Sequence, residues 1–267
     1  MSVRETVFKL DDGLFRIVET EESGRFVDSY LLVGENAALL IDTQRCENDL
    51  YGVVRSLTDK PLQIVITHAH PDHLGPSTED FLREEIPAWI FPEELALIGA
   101  RGRAAFPLCR AGDPPLRSLR EGQLFDLGGI CLEALSLGGH TPRAAMLLER
   151  RRGWLFSGDA MGNRSFWMQV EGAQSLEKYA VQMGDFLGII KEIPALRIFT
   201  GHGIGEESRD IGWARSVLDE TERILDGRSA GTPVESLWPN TLRLDTPVFP
   251  EGFFYRGTNL RETDAHN

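Results

Sequence analysis

The chain has 267 residues, of which 42% are hydrophobic and 26% are charged, a composition typical of a globular protein whose core needs no disulfide or metal staple. Its 41 acidic and 28 basic residues leave a formal charge of −13, which repels polyanions and argues against nucleic acid or an anionic membrane surface as a partner. Residues 1–12 lack the apolar region of a signal peptide, and no apolar run approaches the ~18 residues of a membrane span. The three cysteines are odd in number and far apart, which argues against a disulfide framework. A reducing, cytoplasmic setting is therefore expected.

Strands dominate the predicted elements of the first third of the chain. Two β-hairpins are expected, one joining residues 7–10 to 14–18 and the other joining 30–33 to 37–41, because each pair flanks a short turn that contains glycine. The apolar residues of 50–57 then recur with helical spacing, which predicts the first helix.

A short apolar run at residues 62–66 is typical of a strand buried on both faces, and it leads directly into a cluster of histidines. A strand at 88–91 and a helix at 92–100 are expected next. Residues 101–122 contain three prolines and show no clear period. This segment is expected to form either an ordered insertion or a mobile flap.

The second half of the chain alternates strands with longer helices. Strands are predicted at residues 124–127, 131–137, 145–149, 154–157 and 196–199, and helices at 175–193 and 211–225. This order suits an α/β sandwich with helices on its outer faces. No shift in composition marks a second domain, so residues 1–267 are expected to form a single domain that ends in a helix and tail from about residue 205.

The histidine cluster begins where a buried strand ends, the position at which α/β folds usually place their sites. His68 and His70 are two residues apart, so an extended backbone points both imidazoles to the same side. Pro71 breaks the strand, and the turn after it can bring Asp72 and His73 to a second point. One short segment is therefore expected to supply ligands to two neighbouring metals. Imidazole nitrogen and carboxylate oxygen suit zinc, and also iron or manganese.

Three more candidate ligands follow at later strand ends, and each lies beside glycine. They are His140, Asp159 and His202. Glycine at such a position lets the backbone approach a crowded ligand sphere. Any one of the three alone would be an ordinary loop residue, but together with the cluster they predict one joint metal site.

Four segments in this order resemble the motifs of the metallo-β-lactamase superfamily. They are His68-x-His70-x-Asp72-His73, Gly139-His140-Thr141-Pro142, Ser157-Gly158-Asp159 and Gly201-His202-Gly203. Residues 40–43 also resemble an early strand end of that family. The resemblance implies an α/β fold, namely the four-layer αββα sandwich of the metallo-β-lactamase fold, and it is much less specific for the substrate.

The resemblance also implies a role for each candidate residue. The first metal would be held by His68, His70 and His140, the second by Asp72, His73 and His202, and both by a bridging Asp159. Two zinc ions are expected, with iron or manganese as alternatives. Asp42 would orient the motif loop, although a carboxylate that caps its own turn is an equal interpretation.

One position departs from the family pattern. Many relatives continue the His-Thr-Pro motif with glycine and then serine or histidine, whereas this chain has Arg143 and Ala144. The bulky, charged side chain puts the usual surroundings of the metal in doubt at this point. A surface arginine is favoured over one that reaches the substrate.

The implied reaction is hydrolysis by a metal-bridging hydroxide. Two divalent ions, the hydroxide and the catalytic carboxylates Asp72 and Asp159 leave about one positive charge, which would stabilise the oxyanion of acyl transfer. Small esters, thioesters or lactones are the favoured small-molecule substrates. Phosphodiesterase and β-lactamase activity on the same site stay open, as do an iron-dependent persulfide-type dioxygenase and a non-catalytic metal-binding protein.

The segment after Asp159 carries three consecutive large apolar residues, Phe166, Trp167 and Met168. In a loop, such residues indicate a wall that faces the substrate, and Phe166 and Trp167 are its candidate contacts. A small satellite of the hydrophobic core explains them equally well.

Overall fold

A computed structural model of the chain describes residues 3–22, 26–45, 49–105, 116–203 and 207–262. Two of the three cysteines lie outside these ranges, Cys46 and Cys109. Residues 106–115 also lie outside them, so both alternatives for the segment 101–122, an ordered insertion or a mobile flap, stay open. The strands are β1 (Val3–Asp11), β2 (Leu14–Glu21), β3 (Phe26–Val33), β4 (Ala38–Ile41), β5 (Leu62–Val65), β6 (Ala88–Ile90), β7 (Leu116–Ser118), β8 (Leu124–Asp126), β9 (Cys131–Leu137), β10 (Ala144–Glu149), β11 (Trp154–Gly158), β12 (Ser165–Met168), β13 (Arg197–Thr200), β14 (Thr232–Pro233), β15 (Thr241–Leu244) and β16 (Gly252–Arg256). The helices are α1 (Leu50–Leu57), α2 (Thr78–Arg83), α3 (Pro92–Ala105), α4 (Leu176–Ile190) and α5 (Ile211–Leu225).

The first sheet has seven strands in the order β1-β2-β3-β4-β5-β6-β7. Its first four strands are antiparallel neighbours, which confirms both predicted hairpins, and β4 to β7 are parallel. Parallel neighbours need a crossover connection, and α1, α2 and α3 supply the three that are required. The six-residue α2 and the three-residue β7 were not predicted, because neither is long enough to show a period.

The second sheet has five strands in the order β13-β11-β10-β9-β8. Its pairs are antiparallel except for β11 and β13, which are parallel and joined through α4. Ser175 is the N-cap of α4, since its hydroxyl accepts a hydrogen bond from the Lys178 backbone N–H at 3.2 Å. The helix ends at Ile190, three residues before the predicted end at residue 193.

The two larger sheets pack face to face. One core cluster joins residues of the first sheet, such as Val65, to residues of the second, such as Phe156. The opposite face of the first sheet is covered by α1 to α3 around Val54, and that of the second by α4 and α5 around Met183. Each such buried apolar side chain contributes roughly 1.5–3 kcal/mol to the free energy of folding. This packing therefore fixes the order of the layers. The predicted four-layer αββα sandwich is confirmed, and the single-domain organisation stays a prediction.

A third sheet of four strands, β12-β16-β15-β14, was not predicted. Residues 166–168 were expected to lie in a loop, but they belong to β12, which pairs in parallel with β16 almost ninety residues later in the chain. Side chains alternate along this strand, so Phe166 is turned into the core at 1% exposure while Trp167 is 44% exposed. Phe166 therefore has no surface to offer a substrate, and of the predicted pair only Trp167 remains a candidate.

Helices long and apolar enough to cross a membrane are not found in the described part of the chain.

Candidate metal centre

Strand ends from both large sheets converge on one site. The first motif follows β5, and His140 lies in the turn between β9 and β10. Asp159 directly follows β11, and His202 comes two residues after β13. The structure thus brings together all seven candidate ligands predicted from the sequence, although they are spread over 135 positions of the chain.

Three imidazoles form what we call the first group: His68, His70 and His140. Nδ1 of His70 lies 3.1 Å from Nε2 of His68 and 2.9 Å from Nε2 of His140. The rings of His68 and His140 are buried. Three nitrogen atoms that converge in this way can supply three of the four ligands of a tetrahedral zinc site.

Asp72, His73 and His202 form what we call the second group. Nε2 of His202 lies 3.5 Å from a carboxylate oxygen of Asp72, and both side chains are about one-third exposed. The chain reaches this second point through a turn at Pro71, in which the backbone N–H of His73 donates to the carbonyl of His70 at 3.0 Å.

Asp159 lies between the two groups. Its carboxylate oxygens are 3.2 Å from Nε2 of His202, 3.5 Å from Nε2 of His73 and 3.8 Å from Nε2 of His140. This carboxylate therefore reaches nitrogen atoms of the first group and of the second from one position.

Asp42 supports the motif loop from the end of β4. Its carboxylate accepts hydrogen bonds from the backbone N–H of Thr67 at 2.7 Å and from the Thr67 hydroxyl at 2.8 Å. It also lies 2.7 Å from Nδ1 of His73. These contacts agree with the expectation that Asp42 orients the loop, and they leave the capping of its own turn without support. The residue adopts φ = 62°, an unusual backbone conformation for a non-glycine residue.

Backbone carbonyls set the orientation of two further rings. His140 Nδ1 donates to the carbonyl of Trp167 at 2.6 Å, and His202 Nδ1 donates to the carbonyl of Phe26 at 2.7 Å. A carbonyl can only accept, so each Nδ1 must carry the proton. When each ring is neutral, Nε2 then keeps its lone pair toward the site, as a metal ligand requires.

The loop that carries His202 is held by residues that sequence reasoning missed. Arg16 and Asp28 form a fully buried ion pair at 2.6 Å, and Asp28 also accepts from the backbone N–H of Gly203 at 2.6 Å. The Asn163 amide donates to the carbonyl of His202 at 2.8 Å. None of these residues stands in a local motif, and only their partners across the fold reveal them.

Arg143 points away from the metal ligands. Its guanidinium pairs with Glu93 at 2.8 Å and Glu121 at 3.2 Å, and it lies 4.4 Å from the ring centre of Phe91. The surface arginine favoured from the sequence agrees with this placement.

Gly201 shows why glycine stands beside a ligand. A Cβ atom built there would lie 2.5 Å from Oδ1 of Asp159 and 2.5 Å from Cε1 of His73, closer than real Cβ contacts come. Only a residue without a side chain lets these two groups approach the backbone as they do.

The histidines of the two groups differ in their electrostatics. Burial holds the pKa of His68 well below its usual range, lowers the pKa of His70 to about 3, and lowers the pKa of His140. At His202 burial alone would lower the pKa, but the charges of Asp159 and Asp72 outweigh it and raise the pKa to about 9.

The histidines of the second group and the carboxylates around them stabilise one another's charged forms. Burial alone would lower the pKa of His73, yet the carboxylates of Asp159 and Asp42 raise it well above its usual range. Burial alone would raise the pKa of Asp159, yet the charges of His202 and His73 hold it well below its usual range. The metal-free second group is therefore an array of acid–base pairs, whereas the first group is an array of neutral imidazoles.

The donor set fits a divalent metal. Among the described residues, three overlapping sets of histidine and carboxylate atoms lie close enough to share an ion: His68, His70 and His140; His68, His73 and Asp159; and Asp72, His73 and His202. His73 Nε2 is buried and makes no hydrogen bond of good geometry with the described residues, since its contact with Asp159 is an ion pair at 3.5 Å, and a metal would satisfy it. Nitrogen and carboxylate donors in this mixture suit zinc, iron or manganese.

A family model described as the metallo-beta-lactamase superfamily matches residues 23–202, more than half of the chain. Among solved structures, a metallo-beta-lactamase from Pontibacter korlensis superposes with a TM-score of 0.64 at 18% identity, covering 82% of this chain and 99% of the other. At that identity the likeness concerns the fold.

Two curated relatives are similar in sequence. The acyl-coenzyme A thioesterase MBLAC2 of Gallus gallus is 25% identical over 220 residues, which are 72% of this chain and 78% of the relative. The protein YobT of Bacillus subtilis (strain 168) is 33% identical over 156 residues, which are 50% of this chain and 61% of that protein.

Proposed function

This chain belongs to the metallo-β-lactamase superfamily, and we propose that it is a hydrolase with two zinc ions that cleaves small esters, thioesters or lactones. The observation that carries the proposal is the position of Asp159 between two separate groups of ligands, each with three members. Seven candidate ligands are more than one tetrahedral ion requires. In this proposal the first group and the second group would each hold one ion, and Asp159 would be a ligand of both.

The bound metals would lower the pKa of a water molecule and stabilise the oxyanion of acyl transfer. The protein supplies the arrangement. Asp72 and Asp159 contribute two negative charges, which offset part of the charge of two divalent ions. The hydrogen bonds from His140 and His202 to backbone carbonyls fix both rings, so the ligands need not reorganise during the reaction.

The second group faces the substrate in this proposal. His202 and Asp72 are about one-third exposed, whereas His68 and His140 are buried, so the second group is more open to a substrate than these two rings of the first. The carbonyl to be attacked would then reach the site next to Asp159, which both groups contact.

The thioesterase relative supports the acyl part of the proposal. Its name assigns it acyl-coenzyme A thioesters, and its similarity extends over 72% of this chain. The formal charge of −13 disfavours long phosphodiesters as substrates. Thioesters are therefore the first of the three substrate classes to test.

Trp167 is a candidate contact for the apolar part of the substrate. Its backbone carbonyl holds His140, so the residue lies directly beside the first group. Its side chain is exposed and meets Trp238 at 6.0 Å and Phe254 at 5.9 Å between ring centres. An exposed aromatic cluster beside a catalytic site is suited to an acyl chain.

A substrate panel tests the proposal on zinc-loaded protein. It would contain aliphatic thioesters, homoserine lactones, an aryl phosphodiester and a chromogenic cephalosporin. We expect the highest kcat/KM with an acyl substrate, and among the acyl substrates with a thioester. A cephalosporin or phosphodiester that is turned over faster than every acyl compound would overturn the choice of substrate. One iron per chain together with oxygen uptake on a persulfide would instead establish a dioxygenase.

A further inference from the structure

Glu94, in the first turn of α3, is a buried carboxylate beside the metal centre that no motif includes. Its side chain has 0% exposure. A carboxylate removed from water needs partners that replace its hydration. Glu94 finds them on two loops, since one oxygen accepts from the backbone N–H of Ala69 at 3.1 Å and the other from the backbone N–H of Arg143 at 2.8 Å.

The two loops are those that carry the first group. Ala69 stands between His68 and His70, and Arg143 follows His140 by three residues. The two amides lie 25 and 49 residues away from Glu94 in the chain. One carboxylate therefore joins both loops on which the first group depends, and no atom of the second group takes part in these bonds.

We propose that Glu94 is a positioning residue for the first metal, whose carboxylate fixes the spacing between the loop of His68 and His70 and the loop of His140. The inference rests on the proposed function only in that the first group binds a metal. A carboxylate is the right group here, because both of its partners are donors and each of its oxygens accepts. An amide in its place presents an acceptor to one loop and a donor to the other.

The neighbouring Glu93 provides a matched control. It stands in the same helical turn, but its side chain is 44% exposed and pairs with the guanidinium of Arg143 rather than with the backbone of a ligand loop. Glu93→Gln removes the same charge from the same helix end without touching either amide.

The test measures zinc affinity of metal-free protein by competition with a chromogenic chelator, in the parent, Glu94→Gln and Glu93→Gln. We expect Glu94→Gln to weaken the tighter of two zinc sites by about 10–100-fold, as changes to groups that orient metal ligands typically do. The second site and both sites of Glu93→Gln should stay within about threefold of the parent. The visible spectrum of the cobalt-loaded protein should change in Glu94→Gln alone, because the spectrum reports ligand geometry.

Glu94→Asp keeps the charge but shortens the side chain by one methylene, so we expect it to lose at least one of the two loops. It serves as the second variant should Glu94→Gln fail to fold, and the same selective loss is expected. Unchanged affinity in either variant would overturn the inference, as would an equal loss at both sites, which would indicate a general structural role. A parent protein that binds only one zinc ion would contradict the proposed function, but the inference would stand if Glu94→Gln weakened that ion and Glu93→Gln did not. A parent protein that binds no zinc would contradict both.

Discussion

The two groups of candidate ligands differ in how the metal-free protein holds their donor atoms. The first group consists of imidazoles, two of them buried, whose pKa values are lowered, and it is braced by a buried carboxylate and by a backbone carbonyl. The second group is partly exposed, and its histidines and carboxylates compensate one another's charge in the absence of metal. The first group is therefore preorganised as a neutral donor set, whereas the second must give up its internal ion pairs to bind an ion.

Asp159→Asn should have the largest effect, because the carboxylate contacts both groups. The amide keeps the shape but removes the negative charge, and we expect turnover to fall by at least about 100-fold and the second metal to be lost first. Steady-state kinetics and metal analysis of the purified variant check this. Asp185→Asn, at an exposed position of α4, is the control. Activity within a few-fold of the parent would contradict a bridging role.

Gly201→Ala should weaken the second group more than the first. The added methyl group would collide with Asp159 and His73, so we expect zinc affinity of the second group to fall about tenfold or more. Gly188→Ala, where a Cβ meets nothing within 4 Å, is the matched control and should leave metal binding unchanged while stabilising α4 by about 1 kcal/mol. Equal zinc affinities in both variants would show that the close approach at Gly201 is unimportant.

The pH dependence of zinc binding should separate the groups. In the metal-free protein the raised pKa of His73 and that of His202, about 9, keep both rings protonated at neutral pH, so zinc must displace their protons. Affinity of the second group should therefore increase with pH up to about 9, by about tenfold per unit for each proton released. The first group, with pKa values already lowered, should bind zinc without releasing protons over this range.

Calorimetric titration in buffers with different ionisation enthalpies counts the protons released with each zinc ion. The two binding steps should differ by one to two protons. The same count at both steps would contradict the electrostatic distinction between the groups.

Trp167→Ala should have the smallest effect. Its exposed ring lies beside the first group, so its loss should raise KM for long-chain acyl substrates by about 3- to 10-fold and leave KM for acetyl substrates nearly unchanged. Leu237→Ala, at another exposed apolar position, is the control. A variant with a lowered melting temperature and parental KM values would show that the tryptophan only stabilises the third sheet.

The metal centre was easier to predict from the sequence than the sheet beside it. His68 and His70 stand two apart after a buried strand, and this local pattern requires no knowledge of the rest of the fold. Strand β12 forms only by pairing with β16, from which it is separated by almost ninety residues, and nothing near Phe166 in the sequence reveals that partner. A pairing of that kind depends on tertiary contacts rather than on local pattern.

The residues that brace the ligands were missed for the same reason. Glu94 and Asp28 are single acidic residues, and an acidic residue in a sequence is usually exposed. Their burial against the ligand loops is a property of the assembled layers. Asp42 could be predicted from the sequence because it stands at a strand end that resembles the family pattern. The structure was needed to choose between orientation of the motif loop and capping of its own turn.

Metal titration of the chelator-treated protein distinguishes two zinc ions per chain from one. Elemental analysis after dialysis against increasing zinc should give one ion per chain first and then two, with the second ion bound more weakly at pH 7 because it must displace protons from His73 and His202. A stoichiometry that stays at one ion per chain in excess zinc would contradict the account of two groups bridged by Asp159.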